Sequence, residues 1–258
     1  MPSGTTAGAR PLVVAHRGAS AAWPEHTAAA YVEAIAAGAD AVECDVRMSA
    51  DGHLVCVHDA RVERTGNGWG PVSRHTLAQL RQLDWSVARP AMPAMSSDPP
   101  ADPAALLTLP DLVDLLLAAA SPVGLLVETK HPAARGRHVE AAVVAALRPA
   151  LARLPLVAVM SFWPPAVRRM RRLAPAVTRV ALRADRHPAP VLGRPDALGL
   201  AIATVRRDPS RVRRAHAAGR RVYVWTVDEA EDVERCVAAG VDAIITNRPR
   251  EVRGMLSP

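Results

Sequence analysis

LVVAHRG, residues 12–18, is a four-residue apolar run that ends on a histidine, an arginine and a glycine. A run this short and this apolar reads as a strand buried on both faces. A buried strand ending on His16 and Arg17 must deliver both side chains to one place. The same construction recurs down the chain. Apolar runs at 41–46, 125–127, 156–160, 177–180, 200–204, 222–227 and 243–246 read as further strands. Helical patterns fall between most of them, at 24–36, 109–120, 137–147, 164–173, 209–218 and 229–239, with Gly219 and Gly240 as helix stops. Strands of this kind alternating with helices form a parallel sheet covered on both faces. Eight of them in 258 residues predict a closed α/β (β/α)8 TIM barrel, one domain over residues 1–258 with a flexible start at 1–10. The competing fold, a doubly wound sheet, calls for Gly-x-Gly-x-x-Gly after an early strand, and the sequence has none.

Two stretches interrupt the alternation, and together they predict an insertion over about 47–107. Asp51-Gly52 is a two-residue hairpin signal that returns the chain into an extra strand at 54–57. With those two residues as the turn, Ala50 faces His53 and Asp45 pairs with His58, about 5 Å apart. Residues 85–107, rich in proline and without periodicity, read as a long loop with one short helical turn at its end.

Composition narrows the function. The formal charge of +7 favours anionic ligands, but aromatic residues are only 3% of the chain and the basic residues are scattered. That argues against nucleic acid, which needs stacking platforms beside its cations. The densest basic group, Arg168, Arg169, Arg171 and Arg172, reads as one helix face. Cys44, Cys56 and Cys236 lie in apolar runs without metal spacing and read as small buried hydrophobes. The start lacks the apolar segment of a signal peptide, and the most apolar stretch, 106–127, is broken by Pro, Asp and Gly. A cytoplasmic protein is expected, with no stable membrane insertion and no protein partner.

In a barrel, the residues that end the strands meet at one rim, where such folds keep their active sites. Here they include His16 and Arg17, Glu43 and Asp45, His58 and Asp59, Glu128 and Lys130, Ser161 and Phe162, Trp225 and Thr226, and Thr246 and Asn247. Glu43 and Asp45 are two apart and share a strand face. Three carboxylates aimed at one mouth repel unless neutralised, and Mg²⁺ or Ca²⁺, which prefer oxygen ligands, would do so. The competing reading pairs each acid with Arg17 or Lys130 in a purely structural network. Two histidines at the same rim suit general acid–base work, and Arg17 can clamp a phosphate bidentately. Cation, histidines, arginine and lysine together describe phosphoryl chemistry on an anionic diester. Trp225 is equally compatible with core packing and with a pocket wall.

The same residues carry a family resemblance. His16-Arg17-Gly18, Pro24-Glu25-His26-Thr27, Glu43-Cys44-Asp45-Val46, Asp51-Gly52 and His58-Asp59 follow in the order found in the glycerophosphodiester phosphodiesterases, which the chain resembles over nearly its whole length. Glu128-Thr129-Lys130, Ser161-Phe162, Val224-Trp225-Thr226-Val227 and Thr246-Asn247-Arg248-Pro249 extend the match. The resemblance implies a barrel with a small insertion after His58-Asp59. It implies one divalent cation held by Glu43, Asp45 and Glu128, His16 and His58 as the acid–base pair, and Arg17 and Lys130 on the phosphate. Phe162, Trp225 and His26 are expected in the substrate pocket. In the family, the glycerol 2-hydroxyl attacks phosphorus and water then opens the cyclic phosphate, releasing glycerol 3-phosphate. On that pattern His58 protonates the leaving alcohol and His16 is the base.

Three positions depart from the family pattern: His26 stands where it has Asn, Asn247 where it has Asp, and Pro110-Asp111 where it often has Glu-Glu. The alternatives are a lysophospholipid phosphodiesterase, which the apolar segment AMPAM at 91–95 would favour, and a non-catalytic phosphate-binding barrel.

Overall fold

In the computed structural model, which describes residues 10–87, 102, 104–131, 139–184 and 192–257, the apolar runs become strands. The first half of the chain runs β1 (Leu12–His16), α1 (Ala28–Ala36), β2 (Ala41–Met48), β3 (Leu54–Cys56), a 3-10 turn (Val72–Arg74), α2 (Leu77–Leu80), α3 (Leu109–Ala118) and β4 (Gly124–Thr129). It continues with α4 (Val139–Leu147), β5 (Val157–Ser161), α5 (Pro164–Leu173), β6 (Thr178–Arg183), β7 (Ala197–Ala201) and α6 (Ile202–Arg207). The last elements are α7 (Ser210–Ala217), β8 (Arg221–Trp225), α8 (Ala230–Ala239), β9 (Ala243–Thr246) and α9 (Pro249–Met255). β1 pairs in parallel with β2 on one side and β9 on the other, so the sheet β1-β9-β8-β7-β6-β5-β4-β2 closes into an eight-stranded barrel. β3 lies outside the ring, antiparallel to β2.

The period of two along each strand sorts the side chains. Val14, Ala41, Leu126, Ala158, Val180, Tyr223 and Ala243 belong to one inner cluster. Residues two further on share their face. The inner column of β1 therefore passes from Val14 to His16, that of β2 from Ala41 to Glu43 and Asp45, and that of β4 from Leu126 to Glu128. On β8 it passes from Tyr223 to Trp225. The alternate residues, such as Val42, Cys44, Leu125 and Val127, pack outward against the helices.

Gly18 fixes how β1 turns toward α1. Its φ is +83°, and a Cβ built there would lie 2.6 Å from the carbonyl carbon and 2.7 Å from the Cβ of Ala30 on α1. The left-handed conformation costs an L residue about 1–2 kcal/mol, and a backbone contact has no side chain that could swing aside. Gly18→Ala is expected to destabilise the protein by about 2–4 kcal/mol once overpacking is added, measured as a lower urea midpoint at unchanged m.

Several boundaries differ from the sequence-based reading. α1 starts at Ala28 rather than 24, because His26 has a φ of +63° and Thr27 caps the helix, its Oγ1 accepting from the Ala30 N–H. The hairpin is one residue out of the expected register: Val46 pairs with Cys56, and the Val57 N–H donates to the Asp45 carbonyl at 3.0 Å. Asp45 thus lies opposite Val57, not His58. The cause is a three-residue turn in which the Ser49 N–H donates to the His53 carbonyl and Gly52 takes a φ of +89°. The strand expected at 200–204 ends at Ala201, and α6 follows, burying Thr204 and Val205. α9, opened by Pro249, has no counterpart among the expected helices. Arg169 leaves the expected basic face of α5 to donate to Glu140 at 2.8 Å. All three cysteines are buried and free.

Between β3 and α3, Val55, Val57, Val62, Val72, Leu80, Trp85 and Leu106 make a small apolar cluster of their own. Within the stretch read as a loop, Leu106 bridges to Thr27, and the Leu107 carbonyl accepts from the Cys56 N–H. Residues 1–9, the AMPAM segment, the rest of 88–101, and 137–138 at the expected start of α4 lie outside the described residues. No helix among those described is long and apolar enough to cross a membrane.

Candidate active site

The ends of the inner columns surround an open-mouthed cavity. His16, Arg17, Glu43, His58, Glu128, Lys130, Phe162 and Trp225 all line it. Asp45 is fully buried beside Glu43 and Glu128, and one oxygen from each of the three lies within 4.8 Å of the others. Trp225 is a wall, in edge-to-face contact with Phe162 at 5.6 Å. Eight of the ten residues picked from sequence therefore meet in one cavity, with Asp45 directly behind it. His26, expected in the substrate pocket, lies elsewhere: it is buried behind Asp45, with Nε2 3.0 Å from Asp45 Oδ2 and Nδ1 2.8 Å from Tyr31 Oη. Its left-handed backbone turns the ring inward.

The charges in the cluster are unequal. Asp45 has Arg17 Nε at 3.0 Å, Lys130 Nζ at 3.0 Å and the ring nitrogen Nε2 of His26 at 3.0 Å. Burial alone would raise its pKa, but the hydrogen bond and charge of His26, with Lys130 and Arg17, hold it well below the usual carboxylate range. Burial pushes Glu43 well up, reinforced by the charges of Asp45 and Glu128. Burial and Asp45 push Glu128 up to about 7, although Lys130 Nζ is 2.6 Å from its Oε1. Two of the three carboxylates thus resist ionisation despite Lys130 and Arg17, and a bound cation would favour their charged forms. The donors are all oxygen, as a hard cation requires. The residues present fit a divalent cation, and the cluster is a candidate site for one.

The two histidines have different partners. His16 Nδ1 lies 2.7 Å from Asn247 Oδ1. The amide orientation follows from Asp228, whose carboxylate accepts from Asn247 Nδ2 at 2.6 Å and from the Asn247 N–H at 2.8 Å. With its oxygen facing the ring, Asn247 can only accept, so His16 Nδ1 carries the proton and Nε2 carries a lone pair. Burial, with Arg17, lowers the pKa of His16 to about 4. His58 Nδ1 instead meets a carboxylate, Asp59 Oδ1, at 2.6 Å. Burial first, then Arg17 and Lys130, lowers the pKa of His58, while Asp45 and Asp59 oppose the shift.

Sequence reasoning assigned no role to three residues that support this site. Glu25 Oε1 accepts from Arg17 Nη1 at 3.1 Å. Asp228 orients Asn247, and Arg64 bonds both Glu25 and Asp59. Glu25 could have been found from its place in Pro24-Glu25-His26-Thr27; Asp228 and Arg64 have no local signal beyond their charge. Of the remaining described histidines, His53, His75, His131 and His216 do not line the cavity; His138 and His187 lie outside the described residues.

A closed parallel barrel whose rim joins two histidines, a cluster of three acids, an arginine and a lysine is built for phosphoric diester hydrolysis. The Glycerophosphoryl diester phosphodiesterase family matches residues 16–251, and the chain belongs to that family. Hydrolysis of glycerophosphodiesters is accordingly its activity. It is 45% identical over 257 residues to "Probable glycerophosphodiester phosphodiesterase 1" of Mycobacterium tuberculosis, covering 95% of this chain and 92% of the relative. It is 32% identical over 241 residues to a glycerophosphodiester phosphodiesterase of Caldanaerobacter subterraneus, covering 92% and 94%. A glycerophosphoryl diester phosphodiesterase crystal structure from Silicibacter pomeroyi superposes with a TM-score of 0.83 at 26% identity, covering 96% of this chain and 94% of that one. A phosphodiesterase from Oleispira antarctica, solved with sn-glycerol-3-phosphate, shares the fold with a TM-score of 0.79 at 24% identity over 95% and 96%.

Proposed function

We propose that the site hydrolyses glycerophosphodiesters in two steps, with His16 as the first base and His58 as the first acid. The unequal partners of the two rings carry this reading. His16, on a neutral amide, holds an unprotonated Nε2 and can take the proton from the glycerol 2-hydroxyl. That oxygen attacks phosphorus, and the bond from phosphorus to the alcohol oxygen breaks. His58, on a carboxylate that favours its imidazolium, gives its proton to the departing oxygen. Water then attacks the cyclic phosphate and the bond from phosphorus to the 2-oxygen breaks: His58, now neutral, takes the water proton, and His16 returns its proton to the departing 2-oxygen. Glycerol 3-phosphate and the alcohol are the products, and both histidines regain their starting states.

Arg17 and Lys130 face the same cavity and suit the phosphoryl oxygens. An anionic diester between them also offsets the two charges that depress His58. Glu43, Asp45 and Glu128 would hold Mg²⁺ or Ca²⁺, which when bound stabilises charge on the phosphoryl oxygens. The edge-to-face pair Phe162 and Trp225 offers the uncharged parts of the substrate an apolar wall.

The test is glycerol 3-phosphate release from glycerophosphocholine in chelator, in Mg²⁺ and in Ca²⁺, with lysophosphatidylcholine in parallel. Cation-dependent release from glycerophosphocholine, at least tenfold above the chelated protein, is expected. Release of lipid phosphate from the lysolipid alone would move the substrate to that class, and no turnover of either would leave a binding barrel.

A further inference from the structure

Arg64 lies outside the barrel, on the segment between β3 and α3. The segment is pinned there by Val62, which is fully buried and whose carbonyl accepts from the Thr65 and Gly66 N–H groups. From this turn the guanidinium reaches two carboxylates at once. Nη1 and Nη2 donate to the two oxygens of Glu25 at 2.9 and 2.7 Å. Nε donates to Asp59 Oδ2 at 2.6 Å, and Nη2 also lies 3.3 Å from Asp59 Oδ1. Each carboxylate passes the constraint inward: Asp59 to His58 Nδ1 at 2.6 Å, and Glu25 to Arg17 Nη1 at 3.1 Å.

We propose that Arg64 is a positioning residue for the reaction: its planar fork fixes Asp59, and through it the tautomer and orientation of His58, while holding Glu25 against Arg17. The inference rests on the reading of His58 given above. Asp59 is partly exposed, and its single bond to the His58 ring does not by itself fix its orientation. Three nitrogens of one rigid plane, meeting two carboxylates in fixed directions, do fix it. A lysine cannot replace them, because one nitrogen on a flexible stem cannot reproduce the four contacts. The simpler account is a surface ion-pair cluster that gives the site nothing, as exposed ion pairs often do.

The variants are Arg64→Lys, Arg64→Gln and Asp59→Asn. The first readout is the His58 Nδ1 proton in the NMR spectrum, expected far downfield and assigned by its loss in His58→Ala. It should vanish through exchange in both Arg64 variants and in Asp59→Asn. The second readout is turnover. kcat is expected to fall on the order of 10- to 100-fold in Arg64→Lys, the range seen when outer partners of metal-bound histidines are removed. Asp59→Asn should lower kcat with little change in KM, whereas Arg64→Lys should also raise KM, because Arg17 loses its anchor through Glu25. If Arg64→Lys keeps either the downfield proton or turnover within twofold of the parent, the proposal is overturned. Arg64→Lys retains the charge and decides the matter if Arg64→Gln does not fold. Should the parent protein lack diester activity, the functional reading fails by itself, and the proton resonance alone decides on Arg64.

Discussion

His16→Ala is expected to lower kcat for glycerophosphocholine by about 10²–10⁴, the usual contribution of a positioned acid–base group, while KM changes little. His16 is the last residue of β1, inside a ring of parallel strands, and its Nδ1 is committed to Asn247. Only Nε2 is left for the cavity. A base must be unprotonated, and activity dependent on it is lost below its pKa. With that value held to about 4 by burial and Arg17, His16 should not limit activity between pH 5 and 8. Asn247→Asp puts a carboxylate where the amide stands. It should raise the pKa of His16 and move the acidic limb of the rate profile to higher pH. Parent-like turnover in folded His16→Ala protein would remove His16 from the chemistry.

Glu43→Gln and Glu128→Gln should stabilise the chelated protein and cost the enzyme at least 100-fold in activity, the upper end of the range for a disturbed metal site. In the fold both side chains resist ionisation. Glu128 titrates near 7 rather than at its ordinary 4.5. A group raised in this way contributes stability that is present below about pH 4.5 and is lost as pH climbs toward 7. The loss amounts to roughly 3 kcal/mol at about 1.4 kcal/mol per unit. His16, held near 4 instead of 6.5, acts in the opposite sense over nearly the same window: its contribution is present above 6.5 and lost as pH falls toward 4. Glu43 acts in the same sense as Glu128, so the parent curve sums opposed contributions. The difference between Glu128→Gln and parent, from urea unfolding in chelator, should instead grow as pH rises from 4.5 to 7. Added Mg²⁺ or Ca²⁺ should raise the parent Tm by mass action and leave the glutamine variants unmoved. An equal rise in all three proteins would place the cation elsewhere.

Much of the barrel and most of its rim can be read from the chain, for one physical reason. A strand buried on both faces has to be apolar throughout, so a polar residue at its end stands out, as His16, Glu43, Asp45 and Glu128 do. The hairpin is less legible. Asp51-Gly52 marks a turn, but whether two or three residues make it depends on Ser49, whose hydroxyl accepts from the His53 N–H, and that one residue decides what faces Asp45. His26 is misread because its direction comes from a left-handed backbone rather than from any periodicity. The largely apolar stretch 197–205 holds both a strand and the start of a helix, the strand giving way at Ala201, where pairing with β8 ends. Asp228 is 19 residues from the Asn247 it orients, and Arg64, near Asp59 in sequence, is 39 residues from Glu25, so only the fold shows what they support.

The two histidines belong to parts of the molecule with different histories open to them. His16 is welded into a sheet without edges, where any shift of β1 disturbs both neighbouring strands. His58 stands on an appendage whose strand β3 pairs with β2 and which keeps a small core of its own. A lineage can lengthen, trim or repack that appendage and so change the proposed acid, with the alcohols it releases, while the base and the acidic cluster stay as they are. With His58 as the proposed acid, leaving-group preference would be the modular half of the reaction, and the attacking half would not.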